Sequence, residues 1–432
     1  MAGVTFDNSL SKMCSLISSM GYEMLLEQGW FVRDVVGALG LIIPDRFAQN
    51  IDMSVLRGAI AEHVGRYSQC IPDNLMKQSD HSLGEMSHLA LPEIVRLEDG
   101  SEIKVCVIDR RANGQDWLMP PSISKSDEVQ PPRLVFWSLK GGVGRTTALS
   151  MLASSLANDG HNVLVVDLDL EAPGVGDHLL REGDRPLYGV LDYLVELRAA
   201  SIDAEVMLAD AIGTSGLTRG AGLVHVCPAV GSITYKNPGL FLGKLFRAYG
   251  AQVINGVETT FAGRIDQLIR GLTSRGRYDA VLIDARAGMS ESTAASILNL
   301  NGDVLLFGHN TPQTFSGYSF AFAHMSSFVL GGKFEWIMRL KMVHAKASLK
   351  ASDQAAFRDE AFEIFSKLLY ADSDEIGFSL DDLEAPHYAW VIADDSNFRD
   401  FDPIGNPDVL SGSIASAAFG EFIKSCKERL RV

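Results

Sequence analysis

The run Lys140-Gly141-Gly142-Val143-Gly144-Arg145-Thr146-Thr147 has the composition of a loop that cradles phosphate. Glycines at 141, 142 and 144 allow backbone conformations closed to other residues, so successive N–H groups can point inward and form an anion-binding nest. A helix predicted from about Arg145 to roughly Asp159, stopped by Gly160, turns its positive dipole end and free N–H groups to the same anion. The general pattern, G-x-x-x-x-G-K-[ST], places a lysine near the β- and γ-phosphates and a hydroxyl on Mg²⁺. Here Gly141, Gly142, Val143 and Gly144 form the cradle and Arg145 sits in the lysine slot. Thr146 is the expected Mg²⁺ ligand, and Thr147 is placed to donate to a phosphate oxygen. A glycine cluster alone marks only a turn, so this reading depends on what surrounds it.

Carboxylates at strand ends supply that context. The segment Asn162-Val163-Leu164-Val165-Val166-Asp167-Leu168-Asp169 is an apolar run ending in two acids, and in open α/β sheets ligands bind at the C-terminal ends of strands. A second run, Ala280-Val281-Leu282-Ile283, ends at Asp284 and passes into Ala285-Arg286-Ala287-Gly288. A carboxylate at a strand tip can hold Mg²⁺ through its water shell, while Gly288 permits close approach to a γ-phosphate. Arg286 could pair with phosphate, with Asp284, or in an ordinary surface salt bridge.

These residues need a frame. Leu134-Val135-Phe136-Trp137, just after Pro131 and Pro132, reads as a buried parallel strand feeding the loop. Val304 to Phe307, Leu223 to Cys227 and Trp390 to Ile392 read as further strands; Leu187 to Leu197 and Phe261 to Leu272 read as amphipathic helices. Such alternation predicts an α/β fold with a doubly wound, mostly parallel sheet.

With these motifs in place, the sequence resembles the deviant Walker A ATPases, the MinD/ParA branch of the P-loop NTPases, whose loop reads K-G-G-x-G-K-[ST]. The resemblance implies that Lys140 reaches across a dimer interface to the partner's nucleotide, so that two chains sandwich two ATP molecules. It implies that Asp167 lies near the Mg²⁺ shell, that Asp169 helps to position the attacking water, and that Asn310 touches adenine. It also likens Glu171-Ala172-Pro173-Gly174 and Asp284 to Gly288 to the two switch segments, and Asp394 to Phe398 to the base-side loop. The chain departs from the pattern at Arg145, whose planar, forked guanidinium is no equivalent of a compact ammonium. No N-K-x-D guanine-reading motif occurs in either base-side region, which favours ATP.

Residues 120–132, rich in Pro and Ser, read as an extended linker. Residues 1–119 are expected to form a smaller α+β module for regulation or partner binding. In it, helical spacing over about 9 to 70 involves Leu25, Leu26, Phe31, Val35, Val36, Leu39, Val55, Ile60 and Val64. A hairpin follows, Ile94 to Leu97 and Ile103 to Ile108, turned at Asp99-Gly100. The ATPase domain then spans 133–432, with an insertion expected from about His344 to Glu384. The insertion's helix, near Asp353 to Leu369, puts Phe357, Ala361, Phe365 and Leu368 on one face, a stripe suited to core packing. The last segment, Phe419 to Val432, is amphipathic and basic, and is expected to close the core rather than lie on a membrane.

Composition narrows the partners. With 432 residues, 47% hydrophobic and 21% charged, the chain is of ordinary globular type with room for two or three domains. No run of about 20 apolar residues or secretory leader is present, so a cytoplasmic location is expected. Five scattered cysteines without a C-x-x-C pair argue against a disulfide framework and against an iron–sulfur carrier. A net charge of −16 disfavours a broad nucleic-acid surface. The expectation is therefore an ATP- and Mg²⁺-dependent homodimeric switch coupled to a protein partner. An alternative is a slow or non-hydrolysing ATP-bound scaffold, with Arg145 in place of the lysine. A bacterial tyrosine kinase is disfavoured because no C-terminal tyrosine cluster follows Tyr388.

Overall fold

A computed structural model describes residues 4–69, 74–80, 90–111, 114–121, 130–199, 204–217, 220–250, 252–254, 257–330, 334–370 and 377–432. Two compact units emerge: Met1–Met119 with Ser326–Gly332, and Pro120–Met325 with Lys333–Val432. Most of the expected linker and Cys70 lie outside the described residues.

The first unit has five strands: β1 (Trp30–Arg33), β2 (Leu39–Ile43), β3 (Leu75–Lys77), β4 (Leu91–Arg96) and β5 (Glu102–Asp109). They form one mixed sheet in the order β3-β2-β1-β5-β4. The β4–β5 hairpin turns where Asp99-Gly100 predicts, with Gly100 at φ +87°. Helices Phe6–Ser19 and Met53–Val64 bury Leu10, Met13, Ile17, Leu56, Ile60 and Val64 against Phe31, Leu39, Leu41, Val105 and Val107 of the sheet. The helical spacing read across Phe31 to Leu39 is corrected here, because β1 and β2 are an antiparallel hairpin. Asp34 accepts from the N–H groups of Val36 and Ala38, Gly37 turns at φ +87°, and Val35 and Val36 are exposed at the tip. An Asp-led turn interrupts what looked like one helical period. Val55 is likewise exposed, on the outer side of its helix.

The second unit is built on β6 (Arg133–Ser138), β7 (Val163–Asp167), β8 (Gly213–Thr214), β9 (Val224–Cys227), β12 (Ala280–Asp284), β13 (Asp303–Gly308), β14 (Leu340–Ala347) and β15 (Trp390–Ala393). A separate small hairpin comprises β10 (Gln252–Ile254) and β11 (Val257–Thr259). The eight strands lie in the order β15-β14-β13-β6-β12-β7-β9-β8, every neighbouring pair parallel except β8 with β9. Both faces of this sheet are covered. Leu134, Phe136, Val163, Val165, Leu282, Leu305 and Phe307 pack with helices Arg145–Asn158 and Gly412–Leu430, while the alternate residues Val135, Trp137, Leu164, Val166 and Ile283 are equally buried. Trp137 meets Tyr318 of helix Pro312–Leu330 edge-on at 5.5 Å. This is the α/β, doubly wound, mostly parallel sheet expected, and the first unit is the smaller α+β one.

Three local expectations change. His344 lies within β14, paired to β13, so the insertion cannot begin there. Its helix is Ala351–Phe365, followed by a π-turn, Ser366–Tyr370. The wider turn shifts the register by one, so Leu369 is buried and Leu368 only partly, while Phe357, Ala361 and Phe365 are buried as expected. Leu187 precedes its helix, which starts at Val190, where buried Asp192 accepts from the Gly189 N–H. The C-terminal helix seats Phe422 among Phe136, Phe307 and Trp390, with ring centroids 6.5, 6.0 and 6.3 Å away. Its Lys427 and Arg429 pair with Asp159 and Asp303 of the same unit. Among the described residues, no helix is long and apolar enough to cross a membrane.

Candidate functional site

The glycine-rich loop leaves β6 at the centre of the sheet and opens directly into helix Arg145–Asn158. Gly142 and Gly144 have φ of +74° and +92°, a conformation that a side chain would strain. Gly141 and Gly142 are exposed and Val143 is buried, which anchors the loop while its glycine side stays open. Lys140 is exposed, with neither a hydrogen bond nor an ion pair from its ammonium to another described residue.

Parallel pairing then brings the acids to the same edge. Register sets Asp284 beside Asp167, both nearly fully buried at the tips of β12 and β7. Thr146 donates its hydroxyl to Asp284 Oδ2 at 2.7 Å. Asp284 Oδ1 is buried and has no hydrogen-bond partner. Burial pushes Asp284 up to about 6, opposed by Arg145 and by the Thr146 hydroxyl. Asp167 is pushed well above the carboxylate range by burial and then by the charge of Asp284. It accepts from the N–H groups of Asp169 and Gly174, which fold the following turn around it. Two buried carboxylates side by side, one with an orphaned oxygen, are poorly stable as anions and well suited to a cation. A magnesium ion held by the Thr146 hydroxyl, by Asp284 and by phosphate oxygens fits these groups, because Mg²⁺ takes few protein ligands at phosphate sites.

Arg145 points inward. Its Nη1 donates to the Ala285 carbonyl at 2.7 Å, and its Nη2 lies 3.6 Å from Asp169 Oδ2. Asp169 is pushed up by burial and pulled back by Arg145. Arg286 pairs with Glu171 at 2.6 Å and stands 4.0 Å from Asp169, so Glu171, and not Asp284, is its partner. A chain of alternating charges, Arg145, Asp169, Arg286 and Glu171, thus joins the loop to both segments after the acids. Gly288, at φ +88°, donates to the Ser138 carbonyl and accepts from the Trp137 indole. Its backbone is tied to the strand that launches the loop.

Asn310, just beyond β13, gives its amide to the Asp353 carbonyl and carboxylate, at 3.2 and 2.7 Å. Thr147 is partly buried in the first turn of the helix. The structure also adds Lys346, at the end of β14, whose ammonium donates to the Gly142 carbonyl at 2.8 Å. A single lysine near the end of a strand carries no motif, so only the sheet order could reveal it.

Comparison with known proteins follows the same line. The family described as "CobQ/CobB/MinD/ParA nucleotide binding domain" matches residues 134–395. No curated protein matches the chain. Solved structures similar to it include the septum site-determining protein MinD of Pyrococcus horikoshii OT3 complexed with Mg-ADP. That likeness has 18% identity, covers 69% of this chain and 97% of that one, and has a TM-score of 0.44. The cell division ATPase MinD of Pyrococcus furiosus is 19% identical over 69% of this chain and all of that one (100%), with a TM-score of 0.44. The pNOB8 ParA bound to nonspecific DNA is 18% identical over 70% and 99%, also at 0.44. The match of the family to well over half of its length makes this chain a member of the CobQ/CobB/MinD/ParA nucleotide-binding family, with a P-loop NTPase fold.

Proposed function

We propose that this protein is an ATP-binding switch that hydrolyses ATP slowly, working as a homodimer coupled to a protein partner. The observation that carries the reading is the Thr146 hydroxyl on Asp284, with that aspartate's second oxygen buried and unpartnered beneath the glycine loop. Gly141 to Gly144 would bind phosphate through backbone N–H groups, with Arg145 and Thr147 completing the cradle. Thr146 and Asp284 would hold Mg²⁺, with Asp167 behind them. Bound Mg²⁺ would neutralise charge on the phosphates. Asp169 would orient water, and Lys140, the exposed cation, would reach the partner's nucleotide. Asn310 would contact adenine after releasing Asp353. Catalysis of this kind is positioning plus charge stabilisation. Residues 1–119 would form the module that reads a partner, joined through 120–132 to the ATPase domain.

One observation favours a second reading. Arg145 is already paired with Asp169, the carboxylate assigned to the water. A guanidinium that keeps that pair with nucleotide present would give a long-lived ATP-bound scaffold.

Phosphate release with Mg²⁺·ATP, measured across protein concentrations beside the oligomeric state, separates the two. Release that rises steeply with concentration supports the dimeric ATPase. Tight ATP binding without release supports the scaffold, and no binding refutes both.

A further inference from the structure

Lys346 stands where the strand that carries it is most irregular. Pairing of β14 with β15 shifts register between His344 and Ala347, and Lys346 within this bulge has φ +51°. A non-glycine residue in the left-handed region is strained, and such strain persists where surrounding structure holds it for a purpose. Here the bulge turns an exposed lysine onto the phosphate loop. Its ammonium donates to the Gly142 carbonyl at 2.8 Å, and a Cβ on Gly144 would lie 3.9 Å from Lys346 Cε. One of its three N–H donors is used there; two remain.

The charge around the loop also points to this lysine. The cation in the usual lysine slot, Arg145, is buried and tied to Ala285 and Asp169. Burial and then Lys346 lower the pKa of His309, with Asp394 opposing and Lys140 adding to the shift. The Lys346 ammonium thus sits at the rim of the glycine nest, an arrangement suited to an anion.

We infer that Lys346 is a phosphate-binding residue of the nucleotide site, supplying from β14 an ammonium where the loop's usual lysine slot holds the buried Arg145. This rests on the nucleotide reading above. Bound to a loop carbonyl, Lys346 holds the cradle in shape; its remaining donors face phosphate oxygens.

The test is Mg²⁺·ATP and Mg²⁺·ADP affinity by calorimetry for the wild type, Lys346→Met and Lys346→Arg, with thermal melting of each nucleotide-free protein. The expected result is a loss of at least tenfold in both affinities for Lys346→Met, with melting near the wild-type value. Lys346→Arg, which restores charge and donors, should recover most of the loss. A Lys346→Met protein that binds within twofold of the wild type overturns the assignment while leaving nucleotide binding intact. So does a Lys346→Arg protein no better than Lys346→Met. A wild type that binds neither nucleotide overturns the nucleotide reading itself, and this inference with it.

Discussion

Arg145 and Asp169 stand 3.6 Å apart, guanidinium to carboxylate, with side chains only 8% and 13% exposed. The pair ties the phosphate loop to the turn after β7, and the same guanidinium grips the Ala285 carbonyl after β12. One forked cation therefore braces three segments that a compact ammonium could not bridge together.

Arg145→Lys should release Asp169 and speed phosphate release at saturating Mg²⁺·ATP. An increase on the order of tenfold corresponds to about 1.4 kcal/mol of barrier. An unchanged steady-state rate would show that arginine is no brake.

The buried Asp284 makes stability depend on pH. Its folded pKa of about 6 lies above the ordinary 3.8, so the folded protein binds this proton more tightly than the unfolded chain. That contribution is fully present below about pH 4 and is lost as pH rises through about 6. Asp284→Asn should therefore be about as stable as the wild type at pH 4 and more stable at pH 7.5, by on the order of 3 kcal/mol. Mg²⁺·ATP should stabilise the wild type far more than the variant. Parallel melting curves for the two proteins at both pH values would contradict the burial effect.

Lys140→Ala removes a charge that has no hydrogen-bonding or ion-pair partner among the described residues, so the monomer's melting temperature should hold. ATP-dependent dimerisation, followed by light scattering on a sizing column, should disappear. A variant that still dimerises with ATP would place the interface elsewhere.

Phe422 fills the space among Phe136, Phe307 and Trp390 with no exposed surface. Its truncation to alanine should cost about 3–5 kcal/mol in denaturant unfolding, because the surrounding strands cannot collapse onto the cavity. A loss under about 1 kcal/mol would mean the C-terminal helix is peripheral to the core.

Much of the second unit was legible because its signals are local. Leu134 to Trp137, Val163 to Val166 and Ala280 to Ile283 are short apolar runs that become strands, the last two ending at Asp167 and Asp284. The first unit was harder to read. Phe31 to Leu39 carries apolar residues at spacings that suit a helix, yet Asp34 and Gly37 close a turn between two strands. Short apolar runs fit either period, and turn chemistry decides between them. His344 was misplaced because Lys341, His344 and Lys346 interrupt the apolar run of the strand Leu340–Ala347.

The sequence by itself determined the loop, the helix behind it and the carboxylates that end β7 and β12, because each is written in neighbouring residues. Tertiary structure alone decided which charges meet. That Asp284 sits beside Asp167 and under Thr146 depends on β12 pairing with β7, across more than a hundred residues of intervening chain. That Arg145 turns to Asp169, Arg286 to Glu171 and Lys346 to Gly142 depends on sheet order, burial and one strained backbone position. Coulomb energy varies with distance and surroundings in space, and neither is a property of separation along the chain.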